Sequence, residues 1–209
     1  MDKGGLGIGR ILEILAALIA IFVFITGYPY LRDFLNSISS STAAHVSETI
    51  IDVGSEVWSK SITEPQKYET HILSERDLTN FSLESDVRFD SESPEYQGLV
   101  FRMQDGGFYS FRITPDGNLA FDRWYPNGSH SRILGPVAFD SIRTGRGQVN
   151  HLKVVANDQE FDLFVNGKKV GSLSDSAYSH GQAGLITCTC DGSTESGSTF
   201  SNVLLVKDP

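Results

Sequence analysis

Arg102, Ser110, Arg112, Asp122 and Trp124 are the residues whose types and spacing point most directly to chemistry. They sit in three neighbouring runs where apolar residues alternate: Leu99, Phe101 and Met103, then Tyr109, Phe111 and Ile113, then Leu119 and Phe121. Successive side chains of a strand point to opposite faces. The alternation therefore predicts that the polar five share the noncore face of three successive strands. An indole, a carboxylate, a hydroxyl and two guanidinium forks on one face form a set suited to sugars, which have apolar ring faces and hydroxyl rims. Arginine also matches the carboxylates of uronic and sialic acids. Tyr125 joins the candidate ligand-binding set from the adjoining loop, where Asn127 and His130 extend it. A plainer reading stands beside this one: Arg102 and Arg112 pair with nearby acids on a solvated sheet, and Trp124 caps its edge.

Other chemistries find less support. The five histidines are scattered, and no Gly-x-Ser-x-Gly elbow occurs. Two cysteines, Cys188 and Cys190, are too few for a disulfide framework, and no four-ligand zinc spacing exists. At i and i+2 of a strand their separation lies near the upper limit for a disulfide, which favours two small buried residues over a strained redox pair. The chain carries a net charge of −9. Setting aside Asp2, Lys3, Arg10, Glu13 and Arg32 leaves 14 basic and 24 acidic residues. With that balance and no basic stripe, no nucleic-acid partner is expected.

The elements that must position these residues are short strands. Beyond the three runs above, alternation marks Phe81 to Phe89, His151 to Ala156, Glu160 to Val165, Lys168 to Leu173, Ala183 to Cys190 and Thr199 to Val206. Asp105-Gly106-Gly107, Pro115-Asp116-Gly117, Asn157-Asp158 and Asn166-Gly167 separate them. Asn166-Gly167 is the strongest turn signal, because a type I′ hairpin needs positive φ at both central residues. About ten such strands without intervening helices predict an all-β sandwich of antiparallel sheets.

The amino-terminal region differs. Ile11 to Tyr30 is one apolar segment of 20 residues, long enough as a helix to cross the roughly 30 Å of a hydrocarbon core. Its uninterrupted part, Ile14 to Ile25, also suits the core of a signal peptide, but small residues are lacking just beyond it. The expected organisation is a short cytoplasmic amino terminus (1–10), a transmembrane signal anchor in the lipid bilayer (11–31), a connector (32–64) and a β domain (65–209). Lys3 and Arg10 precede the segment and only Arg32 follows closely, which places the β domain on the extracytoplasmic side. Val46, Ile50, Val53 and Val57 recur at spacings of four, three and four. This helical stripe suits a stalk helix in the connector that self-associates through it; a short helix docking on the β domain, or a plain linker, stands beside that reading.

Several motifs keep a familiar order: Tyr96-Gln97-Gly98-Leu99-Val100-Phe101-Arg102, Phe108-Tyr109-Ser110-Phe111-Arg112-Ile113, Asn150-His151-Leu152-Lys153-Val154, Leu163-Phe164-Val165-Asn166-Gly167, Gly181-Gln182-Ala183-Gly184-Leu185 and Phe200-Ser201-Asn202-Val203. From about Tyr68 to Val206 the chain resembles the concanavalin A-like lectin/glucanase superfamily, nearest its laminin G-like and 3-keto-disaccharide hydrolase-like branches. The resemblance implies a concanavalin A-like jelly roll of two curved antiparallel sheets, with the noncore face above as the concave one. It also implies a function among sugar binders, glycan-cleaving enzymes and protein-binding modules. Glycosidases of the superfamily carry Glu-x-Asp-x-x-Glu. Here Glu84-Ser85-Asp86 begins that pattern, but Phe89 stands where the third acid belongs. Glu84, Asp86 and Arg88 then read as one solvated strand face with cross-strand charge pairing. Calcium is a candidate cofactor because many relatives bind it, and Asp105, Asp116, Asp175 and Asp191 lie in loops, where turns also favour aspartate. The leading expectation is noncatalytic recognition of a glycan or cell-envelope component. A protein-interaction or sensor module that meets a surface protein is the alternative, and a divergent glycan-cleaving enzyme is the third.

Overall fold

The computed structural model describes residues 47–208. Twelve strands make up its regular structure: β1 (Glu48–Ile62), β2 (Tyr68–Leu78), β3 (Phe81–Phe89), β4 (Gln97–Gln104), β5 (Gly107–Ile113), β6 (Asn118–Trp124), β7 (His130–Ala138), β8 (Val149–Asn157), β9 (Glu160–Val165), β10 (Lys168–Ser174), β11 (Gly181–Cys188) and β12 (Ser196–Lys207). They form two six-stranded sheets, ordered β1-β12-β3-β8-β9-β10 and β2-β11-β4-β5-β6-β7. Every pairing is antiparallel. This is the expected all-β two-sheet sandwich, consistent with a jelly roll.

The alternation does what period two requires. Phe81, Leu83, Val87 and Phe89 of β3 enter one core with Leu99 and Phe101 of β4, Tyr109, Phe111 and Ile113 of β5, and Phe121 of β6. Leu152, Val154, Phe161, Leu163 and Phe200, from the same sheet as β3, complete that sheet's side of the core. Asn166 (φ 51°) and Gly167 (φ 78°) make the tight β9–β10 turn with both residues at positive φ, as a type I′ hairpin demands. Gly98 is required for a different reason: a Cβ there would lie 2.2 Å from the Phe111 carbonyl oxygen on the paired strand.

The connector is where expectation and structure part. Glu48–Ile62 is not a helix but strand β1, paired with β12 along its length. The sandwich thus begins ahead of residue 65. Ile50 and Val57 pack against the core, whereas Val53 faces solvent. Register shifts between Thr49 and Ile51, Val53 and Glu56, and Glu56 and Trp58 interrupt the two-residue period. Those shifts leave apolar residues at spacings that mimic a helix. Val46 and the proposed anchor at 11–31 lie outside the described residues. Among the described residues, no helix is long and apolar enough to cross a membrane.

Candidate functional site

Four of the six sequence-predicted site residues meet as expected, on the face of the second sheet turned away from the core. Antiparallel pairing sets Ser110 opposite Asp122 and Phe108 opposite Trp124. Trp124 Nε1 donates to Ser110 Oγ at 2.9 Å. Arg112 Nη2 donates to Asp122 Oδ2 at 2.5 Å. The face is not solvated, however. Ser110, Arg112 and Asp122 are fully buried, and Trp124 is only 2 % exposed.

Two causes account for that burial. Val100, Phe108, Trp124, Ile186 and Cys188 form a second, smaller apolar cluster on this face. The β3–β4 and β11–β12 connections then fold over it and lock together, with the Asp191 and Ser193 backbone N–H groups donating to the Glu95 carboxylate at 3.3 and 2.6 Å. Tyr96, from the same connection, lies between two arginines: the guanidinium carbons of Arg112 and Arg132 stand 5.0 and 4.9 Å from its ring centre. Arg112 also stands 5.1 Å from the Trp124 ring. Arg132 bridges the acids, donating to Asp122 Oδ1 and to Asp191 Oδ2, both at 2.9 Å. Burial works against the Arg132 charge, but its hydrogen bonds to Asp122 and Asp191 prevail and hold its pKa above the ordinary value. Burial, helped by the Asp191 and Asp122 charges and opposed by Arg132 and Arg112, pushes the Tyr96 phenol up.

Arg102 and Tyr125 do not join this group. Arg102 has φ 52° at a register shift between β4 and β5, and the bulge turns its side chain out of alternation. Its guanidinium stacks 4.6 Å from the Phe161 ring centre and donates to the carbonyls of Tyr178 (3.0 Å), Thr79 (3.1 Å) and Asp158. It thus closes one end of the main core. Burial among those groups lowers its pKa. Tyr125 receives hydrogen bonds from Arg123 Nε and Nη2 at 3.2 and 2.9 Å. Arg123 in turn pairs with Asp175 at 3.0 Å, beside the Tyr109 hydroxyl that also donates to Asp175.

The Glu84–Asp86 face of β3 is a set of cross-strand charge pairs. His151 Nδ1 lies 2.8 Å from Asp86 Oδ1 and its Nε2 lies 3.0 Å from Glu84 Oε2. Lys153 donates to Glu84 at 3.2 Å, and Arg88 to Asp90 at 2.8 Å. Of the loop aspartates, Asp175 and Asp191 pair with arginines, and Asp116 accepts from the Thr114 hydroxyl. No group of three or more His, Cys, Asp or Glu side chains among the described residues is arranged to hold a metal ion.

Beside the smaller apolar cluster lies a cavity of about 340 Å³ lined by Gln66, Tyr68, Trp124, Gly128, His130 and Cys190. Tyr68 presents a ring that is 37 % exposed. Its ring centre lies 5.1 Å from that of Trp124 and 5.7 Å from that of Phe108. The His130 ring centre lies 4.5 Å from that of Trp124. His130 is therefore not loop but the first residue of β7, paired with Trp124, and Arg132 is paired with Asp122. Arg132 is missed from sequence because the alternation of β7 breaks at Gly135-Pro136. Tyr68 and Gln66 are missed because only pairing with β11 brings them to this face.

Cys188 and Cys190 are joined in a disulfide, with Cα atoms 5.3 Å apart. The expectation of two separate residues assumed an extended strand through both. β11 ends at Cys188 and the chain turns at Cys190, which shortens the separation.

Comparison with known proteins accords with this architecture. A carbohydrate-binding module, CBM66 from Bacillus subtilis, superposes with a TM-score of 0.57 at 20 % identity, covering 75 % of this chain and 92 % of the module. A sialidase gives 0.48 at 12 % identity, covering 71 % of this chain and 15 % of the sialidase. Sheep galectin-11 gives 0.42 at 14 % identity, covering 68 % of this chain and 97 % of the galectin. A search of curated protein sequences finds no match. A family model described as concanavalin A-like lectin/glucanases superfamily matches residues 66–202, most of the sandwich, and so this chain belongs to that superfamily.

Proposed function

We propose that this protein is a noncatalytic carbohydrate-recognition module, held in a membrane by residues 11–31 and displayed on the extracytoplasmic side. The observation that carries the reading is the aromatic-walled cavity: the partly exposed Tyr68 lines it with Trp124 and His130, and Gln66 adds a polar side chain to the same lining. A pyranose or furanose stacks its apolar face on such a ring and bonds its hydroxyls to the polar rim. The Arg112–Asp122–Arg132–Asp191 network, buried at Arg112 and Asp122 and partly exposed at Arg132 and Asp191, acts beside the cavity, fixing the wall rather than meeting the ligand. Superfamily membership and the likeness to a carbohydrate-binding module support this reading, as does the basic bias ahead of residues 11–31 for the orientation.

The test is a glycan-binding screen on the full chain in detergent, with and without calcium, alongside Tyr68→Ala. Losing one stacking ring is worth about 1.5–3 kcal/mol, roughly 10- to 100-fold in affinity. Tyr68→Ala should weaken binding by that factor with an unchanged circular dichroism spectrum. A folded chain that binds no glycan in either condition would overturn the proposal and favour a protein partner.

A further inference from the structure

The cavity wall is built around the Cys188–Cys190 disulfide. Cys190 itself lines the cavity. The residue between the two cysteines, Thr189, is fully buried and clamps the segment that leads into Tyr68. Its carbonyl accepts from the Gln66 N–H at 2.9 Å, and its own N–H donates to the Lys67 carbonyl at 2.7 Å. Its hydroxyl accepts from the Lys67 N–H at 3.1 Å and donates to the Glu64 carbonyl at 2.6 Å. The residue after the pair, Asp191, carries the ion pair to Arg132 and the backbone bond to Glu95. One short cross-link therefore fixes the turn from which Gln66 and Tyr68 on one side, and Asp191 on the other, take their positions.

The two sulfurs differ in access. Cys188 is fully buried in the apolar cluster, whereas Cys190 is half-buried at the cavity. An incoming thiolate reaches the disulfide only from the cavity side, at Cys190 Sγ. A disulfide that encloses one intervening residue constrains little of the unfolded chain, because its closed loop is minimal. Its effect is confined to the local turn.

We propose that the Cys188–Cys190 disulfide is a redox-responsive latch on the cavity wall, which a dithiol reductant opens to weaken ligand binding; this rests on the cavity being the ligand site. The attacking thiolate bonds to Cys190 Sγ, the disulfide breaks, and Cys188 Sγ leaves as a thiolate that takes up a proton. The second thiol of the reductant then displaces Cys190 Sγ. Two electrons and two protons pass to the cysteine pair, and the dithiol becomes its own disulfide. With the cross-link gone, the Thr189 turn relaxes, the clamp on residues 64–67 loosens, and the Tyr68 ring loses its fixed position.

The experiment is amide hydrogen exchange on the full chain in detergent, before and after dithiothreitol, with alkylation by iodoacetamide to count free thiols. Alkylation should occur only after reduction. Exchange at Gln66, Lys67 and Thr189 should then quicken at least tenfold, while Val154 in the core is unchanged. The affinity for whichever glycan the untreated chain binds should fall at least fivefold. Cys188→Ser/Cys190→Ser should match the reduced protein and ignore dithiothreitol. Thiols that alkylate without reductant, or exchange at the three amides that is indifferent to it, would overturn the latch, as would faster exchange with an undiminished glycan affinity. A chain that binds no glycan sinks the carbohydrate reading alone, since exchange still reports on the latch. If the double variant fails to fold, the comparison of untreated and reduced wild type decides.

Discussion

Asp122 is met from two sides by guanidinium groups that leave it no contact with water. Arg112 reaches one oxygen and Arg132 the other, and Tyr96 lies between the two cations. Arg112 also has Nε and Nη1 without a hydrogen-bond partner among the described residues, so its charge depends on this one carboxylate. Removing one member of a buried pair leaves an uncompensated charge, which costs about 3–5 kcal/mol. Asp122→Ala should therefore lower stability by that amount in urea unfolding. Arg132→Gln should cost less than half as much, because Arg132 is partly exposed and Asp122 keeps Arg112. The grouping of Ser110, Arg112, Asp122 and Trp124 was legible in the sequence, since strict alternation needs only the strand period. Their burial was not legible, because the covering residues come from connections whose path depends on tertiary packing. Arg102 misled for a local reason: a single residue at φ 52° reverses the alternation, and nothing in Val100-Phe101-Arg102-Met103 announces it.

At the scale of elements, the β10–β11 connection is pinned by Asp175. It accepts from the Tyr109 hydroxyl, from Arg123 and, at 2.9 Å, from the Ala177 N–H. Tyr178 in the same segment donates its hydroxyl to the Trp124 carbonyl at 2.8 Å, which ties the connection to the strand behind the cavity. Burial tends to raise the Asp175 pKa, but the bonds from Tyr109, Ala177 and Arg123 outweigh it and the net shift is downward. Burial and the hydrogen bond to Asp175 both push the Tyr109 phenol up. A carboxyl whose folded pKa is depressed gives stability that is present above its unfolded pKa, near 3.9, and lost as pH falls through the folded value. Urea midpoints should therefore decline as pH drops below about 4. In Asp175→Asn that decline should flatten, from a neutral-pH stability lower by about 1–3 kcal/mol. An equally steep acid decline in the variant would show that Asp175 does not carry this dependence. An element with clean alternation that runs into a glycine turn, such as β9, was readable. β1 and β7 were not, because bulges in one and the Gly135-Pro136 step in the other erase the period that identifies a strand.

At the scale of the whole molecule, the sandwich is closed by joining its two ends. β12 lies between β1 and β3, so the last described strand is interior to its sheet while the first described strand is one of its edges. This asymmetry decides what each contributes. β12 supplies Phe200, Val203 and Leu205 to the core and satisfies the backbone of two neighbours. β1 satisfies one neighbour and packs Ile50, Val57 and Trp58 against the core, with the Trp58 ring 5.6 Å from Phe200 and 5.8 Å from His71. Deleting 196–207 should therefore abolish the cooperative thermal transition, because the first sheet loses an interior strand that pairs on both sides and supplies core side chains. Deleting 48–62 should leave a folded sandwich whose Tm is lower by roughly 10 °C, from a loss of about 3–5 kcal/mol. The unpaired edge of β12 should make that shortened chain prone to edge-to-edge association, which light scattering would register. If instead the two deletions are equally severe, β1 is part of the folding unit rather than a strand laid on its edge. A ligand-binding fragment would then have to begin ahead of Glu48 to fold at all.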